Sequence, residues 1–186
     1  MKRAWFGFVL MLVLVLPAGA STFLAMSWED LVEKADTVVA GRVVEVTSYW
    51  NREGTAILTE AVIEIESSVL GKAPSVVRVR TFGGQVGDYK IVAHGFPTFE
   101  RNEKLLLFLE PAEDGFRKVL GYQQGELRIR VDKTGREIAV PTWTAGSANI
   151  LKADGTPAGA PRVLPLADLV QKIHETADRI GRPQAQ

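Results

Sequence analysis

Cysteine is absent from the 186 residues. That absence removes disulfide staples, thiolate metal sites, a cysteine nucleophile and a lipid-bearing cysteine. Histidine is scarce, with only His94 and His174 present. Neither belongs to an H-E-x-x-H motif or a paired His–carboxylate spacing. No G-x-S-x-G stands ready for a serine nucleophile. The glycine-rich stretch Gly83-Gly84-Gln85-Val86-Gly87-Asp88 fits neither GxxxxGK[ST] nor GxGxxG, so it is no phosphate cradle. Neither charge dominates: 22 basic side chains balance 22 acidic ones. Nucleic acid and anionic lipid both demand a basic patch, and this balance argues against them as partners. No internal repeat is evident.

What is present begins with a leader. Met1-Lys2-Arg3 is a short basic start, and Ala4 to Leu16 is an uncharged apolar run. Pro17 then precedes Ala18-Gly19-Ala20, an A-x-A-type cleavage site. Together these parts predict a secretory signal peptide over residues 1–20, with Ser21 as the new terminus. The apolar run is too short to cross ~30 Å of hydrocarbon at 1.5 Å per residue. An exported protein is therefore expected, periplasmic or extracellular, with no membrane attachment after cleavage. Loss of Lys2 and Arg3 leaves 20 basic against 22 acidic side chains.

The body of the chain is organised around one long hairpin, Thr37 to Leu70, turning at Asn51-Arg52-Glu53-Gly54. Ile57, Thr59, Ala61, Ile63 and Ile65 fall on one side of its second arm, with Leu58, Glu60, Val62, Glu64 and Glu66 on the other. This period-two alternation is that of a half-buried antiparallel strand. Gly41, in the apolar first arm, suits a bulge or bend of the kind that closes a small barrel. Val77 and Val79 alternate with Arg78 and Arg80, which predicts an arginine–glutamate ladder against Glu60, Glu64 and Glu66. Gly83 to Asp88 reads as a wide hairpin loop leading to a strand from Tyr89. Lys104 to Leu109 is a continuous apolar run, as a strand covered on both faces requires. Strands follow at 116–120, at 125–131, where Glu126, Arg128 and Arg130 form the polar side, and at 137–140.

Before the hairpin, Ser27-Trp28-Glu29-Asp30 predicts a capped two-turn helix, preceded by a short lead from Ser21. After the strands, proline and glycine crowd residues 141–164, which reads as a loop or lightly attached arm. Pro165 opens a last helix over residues 165–181, with an apolar stripe of Leu166, Leu169, Val170, Ile173, Ala177 and Ile180. The fold class expected is mainly β: one antiparallel barrel over residues 21–140, a short helix before it, and an amphipathic helix docked on it.

The order of residues also carries a resemblance. Ala35-Asp36-Thr37-Val38-Val39-Ala40-Gly41 is followed by the long strand ending Val69-Leu70-Gly71 and by the alternating Val–Arg strand. This is similar to the start of the netrin-like, tissue-inhibitor-of-metalloproteinases type of OB barrel. Gly83-Gly84-x-x-Gly87 and Pro97-x-Phe99-x-x-x-Glu103-x-x-Leu106-Leu107-Phe108-Leu109 resemble exported bacterial proteins with that barrel. The resemblance spans roughly residues 28–140 and implies an OB-like barrel and a protease among its partners. The animal inhibitors chelate the protease zinc through an N-terminal cysteine. This chain has Ser21-Thr22 instead, so that mechanism does not carry over.

The functional reading is an exported, non-catalytic binding module for another extracytoplasmic protein, with no cofactor and no catalytic residue. Tyr49, Trp50, Tyr89, His94, Phe96 and Phe99 are the contact candidates, because aromatics on loops carry much interface energy. Some of them are equally suited to filling the barrel mouth. The alternative is a small metal-dependent enzyme using His94 with Asp88 or Glu100. Carboxylates such as Glu64 and Glu66 look outward from a strand rather than across a cleft, as a hydrolytic pair must. Single-strand nucleic-acid binding by the barrel face is disfavoured by export and charge.

Overall fold

The alternating stretches become the strands of the computed structural model, which describes residues 22–143, 149–159 and 161–182. The expected signal peptide and its cleavage point lie outside the described residues. Along the chain run β1 (Thr22–Leu24), helix α1 (Trp28–Lys34), β2 (Thr37–Trp50), β3 (Ile57–Leu70), β4 (Val76–Phe82), β5 (Gly84–Val86) and β6 (Tyr89–Ile91). Next come β7 (Lys104–Pro111), β8 (Arg117–Val119), β9 (Glu126–Val131), β10 (Glu137–Pro141), β11 (Asn149–Leu151), β12 (Leu164–Pro165) and helix α2 (Leu166–Arg179). The fold is mainly β, with a closed five-stranded barrel.

The barrel closes in the order β2, β3, β4, β8, β7 and back to β2. All of these pairings are antiparallel except β4 with β8, which is parallel. Counting only the barrel strands, that is the order 1-2-3-5-4 of an OB-like barrel. Closure needs a sharp bend in β2, one of the two longest strands. The β2–β3 register shifts between Ala40 and Gly41, and again between Val43 and Glu45. A Cβ on Gly41 would lie 2.5 Å from the Glu64 carbonyl oxygen, so only glycine lets the two backbones approach there.

Two cores lie on opposite sides of the barrel wall. Val39, Val43, Ala61, Ile63, Val77, Val79, Leu105, Leu107, Leu109 and Val119 come from the five barrel strands alone and fill the lumen. Val38, Ala40, Leu106, Phe108, Leu127 and Ile129 pack on the outside beneath Leu31, Val32, Leu169, Ile173 and Ala177 of the helices. β7 serves both cores, which is why Leu105 to Leu109 show no alternation and are all buried. α1 begins with the expected capping box, Ser27 and Asp30 bonding each other's backbone N–H. Its last carbonyls are closed from afar: Arg182 Nη1 donates to Ala35 O at 2.6 Å and to Glu33 O at 3.1 Å. Trp28 packs on Phe108, with ring centroids 6.1 Å apart.

Three stretches differ from the expectation. The lead before α1 and the arm after β10 find each other: β1 pairs parallel with β11, and Trp143, Ile150 and Ala158 are buried against Phe23 and Ala25. Strands of three residues leave no period to read, so only the pairing reveals them. The stretch from Gly83 is not all loop, because Gly84–Val86 pairs with Tyr89–Ile91 in a small hairpin. The ladder forms only in part. Arg78 meets Glu60 at 2.5 Å, whereas Glu66 turns to Arg42 and Lys104, and Arg80 lies over the Phe116 ring at 3.5 Å.

Candidate functional site

The six contact candidates fall into separate environments. Tyr49 is half-buried on the outer face of β2, opposite Leu58. Trp50, at the end of β2, and Tyr89, at the start of β6, meet edge to face at 5.7 Å and are both exposed. His94 is exposed on the turn before Gly95. Among the described residues, no group of three or more His, Asp or Glu is placed to hold a metal. Phe99 is 8% exposed and belongs to the lumen core, so it offers packing rather than contact surface. Phe96 alone joins a larger aromatic group.

That group forms because four segments, distant in sequence, converge. Phe96, in the loop before β7, lies 5.7 Å from Phe82 at the end of β4 and 4.8 Å from Tyr122. Phe23 of β1 completes the set, 4.8 Å from Tyr122 and 6.2 Å from Phe96. Tilted and edge-on rings at these separations are the favoured geometry. Phe82 is 49% exposed and Tyr122 is 42% exposed, which leaves large apolar faces bare. Tyr122 is also held at φ 60, a left-handed conformation that costs a bulky residue energy.

Phe82, Phe96 and Tyr122, with Leu58 and Pro97, floor a groove of about 440 Å³. Arg80, Glu110, Glu113 and Lys118 form its charged edge. The guanidinium carbon of Arg80 lies 3.5 Å from the centroid of the buried Phe116 ring, a cation–π contact that holds the charge in place. The groove runs over the outer face of β3 and β4 and is bounded by the β7–β8 connection at Ala112 and Glu113. In an OB barrel this is the face of strands 2 and 3 beside the loop between strands 4 and 5, where such barrels take ligands. No family model matches this chain, and no curated protein matches it. The groove's own chemistry therefore carries the functional reading.

One ionisable residue escaped the sequence reading. Glu126 was expected on the polar side of its strand, yet it is fully buried. The register explains why: Glu126 stands opposite Leu107, and cross-strand partners share a face, so it sits on the lumen side where β9 succeeds β8 along β7. Oε2 accepts from the Thr142 hydroxyl at 3.2 Å, while Oε1 has no hydrogen-bond partner among the described residues. Burial pushes the carboxyl from 4.5 up to about 7, against the opposing pull of the Arg128 charge and the Thr142 hydrogen bond. Glu103, which pairs with Arg128 at 3.2 Å, adds a smaller upward push.

Of the groove residues, the sequence offered Phe96. Phe82 and Tyr122 were missed. Phe82 reads as the last residue of an alternating strand, and Tyr122 as one residue of an unassigned link between strands. A large aromatic at the outward end of a strand was the one signal available for Phe82.

Proposed function

We propose that this protein is an exported, non-catalytic binding module whose groove on the outer face of β3 and β4 holds a segment of another extracytoplasmic protein. The observation that carries this reading is the bare aromatic floor of Phe82, Phe96 and Tyr122 beside the fixed charge of Arg80. An aromatic anchor site rimmed by polar groups is the usual centre of a protein interface. The strain at Tyr122 supports it, because a left-handed tyrosine persists only where surrounding contacts hold it. A fitting segment places one large apolar side chain on the rings and a carboxylate towards Arg80 and Lys118. An exported protease is the partner class named by the netrin-like resemblance, and the leader of residues 1–20 is the basis for export.

Selection of displayed random peptides on the purified protein tests the site. The expected binders share a large apolar residue next to an acidic one, and lose binding when Phe82 or Tyr122 becomes serine. Binders without that pattern, or binding indifferent to both substitutions, refute the groove. Titration into a panel of exported proteases tests the partner class, with stoichiometric inhibition as the expected result for one of them.

A further inference from the structure

The open end of the barrel holds a second cavity, of about 350 Å³, which shares Thr81, Phe82 and Pro97 with the groove. Its walls are mostly apolar, with Val46, Ile91, Val92, Pro97 and Phe99 among them, and Lys90 stands on its exposed rim. Cavities in the mouths of β-barrels are habitual sites for small molecules when a few polar groups converge on an apolar lining. Here the polar groups are the hydroxyls of Ser48, Thr59 and Thr81 on the floor and of Thr98 at the exposed edge.

The direction of their hydrogen bonds decides what they can recognise. Thr59 Oγ1 donates to the Gly83 carbonyl at 2.6 Å, and Thr81 Oγ1 donates to the Pro97 carbonyl at 3.2 Å. Ser48 Oγ lies 2.8 Å from Thr59 Oγ1. Since the Thr59 hydrogen is committed to Gly83, Ser48 must be the donor of that pair. The hydroxyl hydrogens of these three are thus spent inside the fold, and on the floor they present only oxygen lone pairs to the cavity. A ligand carboxylate seated on the floor would find acceptors where it needs donors, and only Lys90 at the rim could answer it. A ligand ammonium would meet the Lys90 charge at the rim. A neutral hydroxyl or amide N–H satisfies the floor.

The cavity also has a cover. The β5–β6 hairpin reaches across the mouth from Gly83 and Gly84, at φ 90 and φ 132. A Cβ on Gly84 would lie 2.3 Å from Thr59 Oγ1, so the hairpin backbone runs directly against the hydroxyls. At its far side Tyr89 rests on Trp50 of β2. We propose that the barrel mouth binds a small, neutral, largely apolar molecule bearing one hydroxyl or amide N–H donor, with the β5–β6 hairpin as its lid.

Amide chemical shifts of the purified protein, titrated with octanol, heptyl methyl ether and octanoate, test this without any substitution. Octanol is expected to saturate and to move the resonances of Ser48, Thr59, Thr81 and Phe99. The ether, of the same size but without a donor, should bind about tenfold more weakly, the value of one net hydrogen bond. Ser48 lines this cavity but not the groove. Ser48→Ala should lower octanol affinity several-fold and leave the ether unchanged, while peptide binding at Phe82 and Tyr122 persists. Equal affinity for octanol and ether, tighter binding of octanoate, or no saturable shift with octanol each overturns the proposal. Because the two sites share Thr81, Phe82 and Pro97, Ser48→Ala is the variant that separates them.

Discussion

Replacing Glu126 with glutamine should change how stability depends on pH. Unfolded, this carboxyl ionises near 4.5; folded, burial delays ionisation to about 7. Below 4.5 both states hold the proton and nothing is lost. Between the two values the unfolded chain has released its proton and the folded one has not, so rising pH favours unfolding. Above about 7 the folded state bears the full cost of a buried carboxylate. At 1.36 kcal/mol per pH unit across that span, the cost is about 3 kcal/mol, a large part of the ~5–15 kcal/mol that holds a domain folded. Urea unfolding of both proteins between pH 4 and 8 measures it. The other titrating groups remain in both proteins, so their contributions cancel in the difference. The Oε1 position already lacks a partner among the described residues, so the glutamine amide carries that deficit over at every pH. The informative quantity is therefore the slope. Wild type minus Glu126→Gln should fall by about 3 kcal/mol from pH 4 to 8. A flat difference would refute the assignment of Glu126 as a buried, late-ionising carboxyl.

Three further outcomes follow from particular contacts. Gly41→Ala should destabilise the barrel by about 1–3 kcal/mol, because its Cβ would meet the Glu64 carbonyl at 2.5 Å and the wall must give; chemical denaturation reads the loss directly. Arg182→Ala should cost about 1–3 kcal/mol by stripping charged donors from the last carbonyls of α1. Hydrogen exchange should then show α1 opening more readily while the strands around the lumen keep their protection. Phe108→Ala, emptying a fully buried site between β7 and α1, should cost about 3–5 kcal/mol in the same denaturation assay.

The functional residues were less legible than the frame. Among the contact candidates, Phe96 reaches the aromatic groove, Trp50 and Tyr89 meet at the lid, His94 stands apart, and Phe99 is core. Aromatic residue type was visible in every case. Which aromatic stays bare was not, because exposure depends on which loop folds over which ring. Glu126 gives the sharpest instance. Period-two alternation set it beside Arg128 and Arg130 as polar surface, yet its neighbour across the sheet is Leu107. Alternation separates two faces of a strand but does not say that both are covered.

The sequence by itself determined the long strands and the helices. Alternating Ile, Val and Thr in β3, the unbroken apolar run of β7, the Ser27–Asp30 cap and the stripe on α2 are local patterns with local causes. Gly41 as the bend was legible for the same reason, since only a residue without a Cβ admits so close an approach. Tertiary structure alone decided the rest. Closure of β4 onto β8, the meeting of β1 with β11, the reach of Arg182 to α1 and the groove of Phe82, Phe96 and Tyr122 each join residues far apart in the chain. Such contacts form because folding buries apolar area wherever geometry permits, and no short window of sequence contains both partners.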